Sequence, residues 1–378
     1  MNNDVKFTIQ PGGLGRLPAS NDHVSAIIWP LTAPAAWNGV AGKKYLSAEA
    51  AEADGITKTN VLYTELWYQI KEFFRIVGAG ELWVVNKTGL TATIFNNLTE
   101  GKVRQAVWHN VNATLATEIT AAQTFADAMD ALFAPLSLIM NAKDNTTSFT
   151  DIHTSDAEKV SVICFGDGSA DVAALITGLA VHYIPALGTT LGLVAYASVH
   201  ENIGWPRKFG ISDRTNFTKI LLPDGSDLGL KTDTQLQAIA DAGFIFARKI
   251  VGLSGFFVYD TFTATTATDD YSVIEHNRTI DKCKREIRAY LIPDLMSPLY
   301  VDAEGKLSAD TVAYFKALTS TPLERMQAQA EISGFRVLID PDQDVLATSK
   351  LVITVKVQPV GVAREISVNI GFAVNLNA

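Results

Sequence analysis

The chain has 378 residues, 48% of them hydrophobic and 19% charged, with a net charge of −9. That length suggests two or three domains with ample core. The acidic balance, and the lack of any basic cluster interleaved with aromatics, argue against nucleic acid or an anionic membrane as partner. No apolar run reaches membrane-spanning length. Residues 1–10 lack a charged and apolar leader, so synthesis and first residence in the cytoplasm are expected. Cys164 and Cys283 have no CxxC or Cys/His neighbourhood and read as free thiols in a reducing compartment.

Val5, Phe7 and Ile9 alternate with Lys6, Thr8 and Gln10, which predicts a short first strand. Pro11, Gly12, Gly13, Leu14 and Gly15 follow as a flexible tether, with no phosphate-loop signature behind them. Residues 23–29 read as a strand. Leu62, Leu66, Ile70, Phe73 and Val77 recur at helical spacing, and Gly78 ends that helix in the manner of a C-cap. Strands are predicted over 81–85, 136–140 and 160–165, with helices over 121–133, 170–182 and 189–199. This alternation predicts an α/β layer with a largely parallel sheet.

Residues 244–251 and 255–259 read as strands, and the polar stretch 261–270 as a plausible domain border. Long helices are predicted over 271–291 and 308–330, the second kinked or split at Pro322. A strand over 332–339 and an acidic turn precede two alternating strands. The first, 350–358, places Leu351, Ile353, Val355 and Val357 on one face. The last, 364–376, places Ile366, Val368, Ile370, Phe372, Val374 and Leu376 on one face. Such clean alternation demands a buried face and a strand partner, either in the chain's own sheet or in another copy.

Few motifs carry chemistry. Gly166, Asp167, Gly168 and Ser169 form a strand–turn–helix junction of the kind that can hold a ligand in an open α/β sheet, but Asp167 or Ser169 reads more simply as a helix cap. Asp340, Asp342 and Asp344 mimic the start of an EF-hand loop, yet Val345 and Leu351 stand where Gly and Glu are needed. Gly252, Leu253, Ser254 and Gly255 end in Phe256, which breaks the nucleophile-elbow pattern. Six scattered histidines show no metal-ligand spacing. No catalytic site, metal or cofactor is expected. Arg278, Lys282 and Arg285 recur on one face of the helix over 271–291, either as a solvated face or as a docking stripe for an acidic surface.

The C-terminal third carries an ordered set of signals. Gly255, Phe256, Phe257, Val258 and Tyr259 lead through a Thr-rich loop into Tyr271, Ser272, Val273, Ile274, Glu275, His276, Asn277, Arg278, Thr279 and Ile280. A long helix, Pro298, a second helix, Gly334-Phe335-Arg336-Val337, Gln358-Pro359-Val360 and the strand opening with Glu365 and Ile366 follow. This order resembles the C-terminal domain of contractile tail sheath proteins of phage tails, R-type pyocins and related contractile injection systems. The resemblance covers residues 250–378; residues 23–250 fit as an α/β domain in the expected place.

The resemblance implies a non-enzymatic structural subunit of a viral or tail-like particle. It implies an N-terminal arm (1–22), an outer α/β domain (23–250), an inner C-terminal sheath domain with two long helices (251–360) and a C-terminal strand arm (361–378). The inner sheet would be completed by exchanged N- and C-terminal strands carrying Val5, Phe7, Ile9, Ile366, Val368, Ile370, Phe372 and Val374. Implied partners are further copies in a helical homopolymer of stacked hexameric rings, the inner tail tube, and baseplate and tail terminator proteins. The basic residues Arg278, Lys282 and Arg285 become candidates for tube or inter-subunit contact. Assembly would occur in the host bacterial cytoplasm, ending in a virion tail or a released tail-like particle. Two other readings stay open: a non-contractile structural or baseplate protein, and an α/β enzyme with a ligand site at residues 166–169.

Overall fold

The structure, a computed structural model, describes residues 21–111 and 114–372. Its elements in chain order are β1 (Ser25–Trp29), β2 (Gly42–Tyr45), α1 (Ala48–Ala53), α2 (Thr64–Val77), β3 (Leu82–Asn86), α3 (Ala92–Thr99), β4 (Gln105–Trp108), α4 (Leu115–Ala131), β5 (Ser137–Asn141) and β6 (Val160–Ile163). Then come β7 (Gly166–Asp167), α5 (Ala170–Leu179), α6 (Leu187–Tyr196), β8 (Ile220–Leu221), α7 (Asp233–Asp241), β9 (Ala247–Arg248) and β10 (Phe257–Val258). The last are α8 (Ile274–Leu291), α9 (Ala309–Ala328), β11 (Gly334–Leu338), α10 (Val345–Thr348) and β12 (Thr354–Gln358).

The main sheet has the order β2-β3-β1-β4-β5-β6, with every neighbouring pair parallel except β2 against β3. β1, β4, β5 and β6 are buried along their whole length, which is why they read as short apolar runs rather than alternating ones. α6 is buried from Leu187 to Ala195 and packs against α2. The approach is close because of two glycines one turn apart: a Cβ at Gly188 would lie 2.0 Å from the Gln69 carbonyl oxygen, and one at Gly192 3.1 Å from that of Phe73. Gly78 does end α2, at φ +73°, with its N–H donating to the Phe74 carbonyl.

A second, smaller core joins α8, α9 and the β11–β12 hairpin. Cys283, Leu323, Met326, Ile332 and Val337 are buried there, and Ile287, Phe335, Ile353, Val355 and Val357 lean on them half-buried. α8 belongs to both parts: its first half is buried on the main body, and Cys283 Sγ lies 3.7 Å from Met326 Sδ on α9.

Several expectations are corrected. α9 runs unbroken through Pro322. α4 begins six residues before the expected 121. The acidic segment 340–344 forms the expected turn, with the Asp342 N–H donating to Asp340 Oδ1, but α10 follows it, capped by Asp344 through the Ala347 N–H, so β12 starts at Thr354 rather than at 350. Residues 364–372 form no strand within the chain.

Candidate functional site

The C-terminal arm leaves the body beyond β12. Ile366, Val368 and Ile370 are 80%, 77% and 95% exposed, and Phe372 is exposed beside them. An alternating apolar face is thus presented to solvent. Val5, Phe7, Ile9 and Val374 lie outside the described residues. Close to the arm in sequence is a sheet of the complementary kind: among the described residues, β11 and β12 pair only with each other, in an antiparallel register from Gly334 opposite Gln358 to Leu338 opposite Thr354. Each therefore keeps an outer edge of unpaired backbone groups, while Val337, Val355 and Val357 hold one face on the second core.

The root of the arm is fixed by Arg364. Its Nε donates to Asp260 Oδ2 at 2.7 Å, and its Nη2 donates to Asp260 Oδ1 and Glu275 Oε1 at 3.2 Å each. Asp260 and Glu275 are buried. Their oxygens also accept from Asn202 Nδ2, from the Thr261 N–H and from Thr261 Oγ1. Burial pushes the Glu275 carboxyl up, and its bond to Asp260 holds the Arg364 guanidinium above its usual range. A cleft of about 950 Å³ opens beside this node, lined by His200, Trp205, Arg248, Tyr259, His276 and the arm root from Val360 to Arg364.

The three basic residues of α8 do not form an open stripe. Arg278 is buried and donates to the carbonyl oxygens of Ala197 and Ser198 at 3.2 Å each. Lys282 is buried between Asp22 at 2.8 Å and Glu331 at 2.6 Å, and Arg285 reaches Asp22 at 2.8 Å. Desolvation would raise the Asp22 carboxyl, but Lys282 and Arg285 hold it below its ordinary value. These charges are committed inside the chain because α8 lies against the main body along this face.

The two places where an α/β enzyme would bind a ligand are filled by the chain itself. At 166–169, the buried Asp167 carboxylate accepts from the Ser169 N–H, Ser169 Oγ, the Phe217 N–H and the Tyr68 hydroxyl. The strand order reverses between β1 and β4, the crevice such sheets use for ligands. There the Trp29 and His109 rings stack at 3.5 Å with an interplanar angle of 7°. No group of three His, Cys, Asp or Glu residues able to hold a metal occurs among the described residues, and no helix among them is long and apolar enough to cross a membrane.

The whole fold is that of contractile sheath proteins. A chain of the anti-feeding prophage baseplate superposes with a TM-score of 0.63 at 14% identity, covering 99% of both chains. A chain of the PVC sheath complex in its contracted state, from an extracellular contractile injection system, gives 0.62 at 15% identity and the same coverage. The sheath tail protein of Desulfitobacterium hafniense gives 0.54 at 11% identity, covering 95% of this chain and 100% of that one. No curated protein matches by sequence. The DUF2586 N-terminal domain model matches residues 2–262 and the DUF2586 C-terminal domain model residues 270–377. The chain belongs to the DUF2586 family.

Proposed function

We propose that this chain is a structural subunit of a contractile tail sheath. Copies polymerise helically around an inner tube, and the sleeve shortens to drive that tube through a target envelope. The observation that carries the reading is the exposed, alternating apolar residues Ile366, Val368, Ile370 and Phe372 in a chain whose β11–β12 sheet has two open edges among the described residues. Laying the arm of one copy on the sheet edge of the next supplies main-chain hydrogen bonds and buries alternate side chains. Each bond contributes about 0.5–1.5 kcal/mol net, and each large apolar side chain about 1.5–3 kcal/mol when fully buried. A head-to-tail contact that does not close on itself makes a filament. The residues around Val5, Phe7 and Ile9 are the matching extension at the other end, and tube, baseplate and terminator proteins are the further partners of this reading.

Electron microscopy of the purified full chain tests it, with long hollow tubes as the expected result. Val368→Asp or Ile370→Asp abolishes tubes while leaving the circular dichroism of the body unchanged. A persistent monomer, indifferent to deletion of residues 365–378, refutes the proposal. Because one similar chain comes from a baseplate assembly, short rings that never elongate are the signature of a baseplate subunit instead.

A further inference from the structure

Asp22, next to the start of the described chain, and Arg364, at the start of the C-terminal arm, both lie against one helix. In the first turn of α8, Glu275 shares Arg364 with Asp260, the two carboxylates lying 3.2 Å and 2.7 Å from its guanidinium nitrogens. Further along α8, Lys282 and Arg285 each reach Asp22 at 2.8 Å, next to where residues 1–20 join. Glu275 and Arg285 are about 15 Å apart along the axis at 1.5 Å per residue. The polarities are opposite: the C-terminal arm brings a cation to two carboxylates, and the N-terminal segment brings a carboxylate to two cations.

We infer that α8 is a mooring strut, with Arg364 and Asp22 as the positioning residues that fix the roots of both extensions to one rigid helix. Pull through one donated strand then passes along α8 to the other. The inference rests on the strand-donation reading and adds the residues that aim the strands. A guanidinium shared between two carboxylates imposes a direction, which a single point charge does not. Beyond Arg364, the hydrogen bonds of 365–372 among the described residues stay within the arm, as when Ser367 Oγ donates to Glu365. Direction therefore comes from the clamp. α8 cannot tilt freely under load, since Asp281 is locked to Lys159 at 2.8 Å on the main body and Cys283 packs on α9.

The clamp can be removed without unfolding the node. Asn202 and Thr261 still donate to Asp260 and Glu275 when Arg364 is gone. The test uses the full chain and reads the critical concentration for tube formation by sedimentation, beside the melting curve of unassembled protein. Arg364→Ala raises the critical concentration on the order of tenfold, while the melting curve of unassembled protein falls only slightly, because Asn202 and Thr261 still donate to the two carboxylates that lose their shared cation. Arg364→Lys recovers part of the loss, because it restores the charge without the fork. Asp22→Asn acts in the same direction. The double variant Asp22→Asn/Arg364→Ala loses less than the two single effects combined, because breaking either end interrupts the same path. Strict additivity overturns the shared strut. So does assembly of Arg364→Ala at the unaltered concentration when deletion of 365–378 abolishes tubes, a result that leaves strand donation standing. Tubes that survive that deletion overturn strand donation itself.

Discussion

His109 is buried against Trp29. Burial, reinforced by the nearby Lys87 ammonium, lowers its pKa from 6.5 to about 3. The folded state thus keeps a neutral ring where the unfolded chain binds a proton. Stability contributed by this site is full above pH 6.5 and declines as pH falls toward 3. At pH 5 the loss is about 2 kcal/mol, set by the distance below the unfolded value. His109→Phe removes this component: chemical denaturation at pH 7 and pH 5 shows a smaller drop in the variant, and an equal drop in both proteins contradicts the assignment. At this scale the sequence is weakly informative. Lys282 and Arg285 look like a solvated helix face because their partner Asp22 is about 260 positions away, and nothing local to a helix marks a charge whose partner is that distant.

Elements with a helical period or a largely apolar run are the legible ones: α2, α8 and α9 by their spacing, and β1, β5 and the edge strand β6 by their apolar residues. β2, β4, α1, α3 and α7 have no counterpart in the sequence reading: β2 is made of Gly, two Lys and Tyr, and β4 opens on Gln105, so neither shows a period or an unbroken apolar run. The segment 364–372 differs: its alternation predicts a covered face but does not name the sheet, and within the described residues no strand of the chain pairs with it. The second core offers a sharper test of an element. Leu323 of α9 is wholly buried among Cys283, Met326, Ile332 and Val337. Leu323→Ala removes its side chain from a cluster with few members and costs about 2–5 kcal/mol. Hydrogen exchange then shows α9 and the β11–β12 hairpin opening sooner, while β1 and β5 keep their protection; uniform loss of protection would mean that the two cores unfold as one.

At the scale of the molecule, the two cores are unequal. The larger draws on residues from Val24 to Ile274, with a small satellite of Tyr68, Val172, Leu175 and Ile184 beside it, whereas the α8–α9–hairpin core has five buried side chains and a second strand half-exposed on alternate residues. A small core is marginal alone, and any partner that binds only the folded form stabilises it by mass action. If neighbours lay their arms on the β11–β12 edges, assembly adds about 2.7 kcal/mol at a hundredfold excess over the dissociation constant. For a unit of 60–100 residues, 1 kcal/mol moves the midpoint by about 4–8 °C. Calorimetry of the full chain is therefore expected to show a lower transition, from the α8–α9–hairpin part, that climbs with protein concentration toward the upper one. The chain lacking residues 365–378 shows the same lower transition at every concentration, because it has no arm to give. A lower transition that climbs equally in the truncated chain would place the stabilising contact elsewhere on the surface, and with it the interface that holds the copies together.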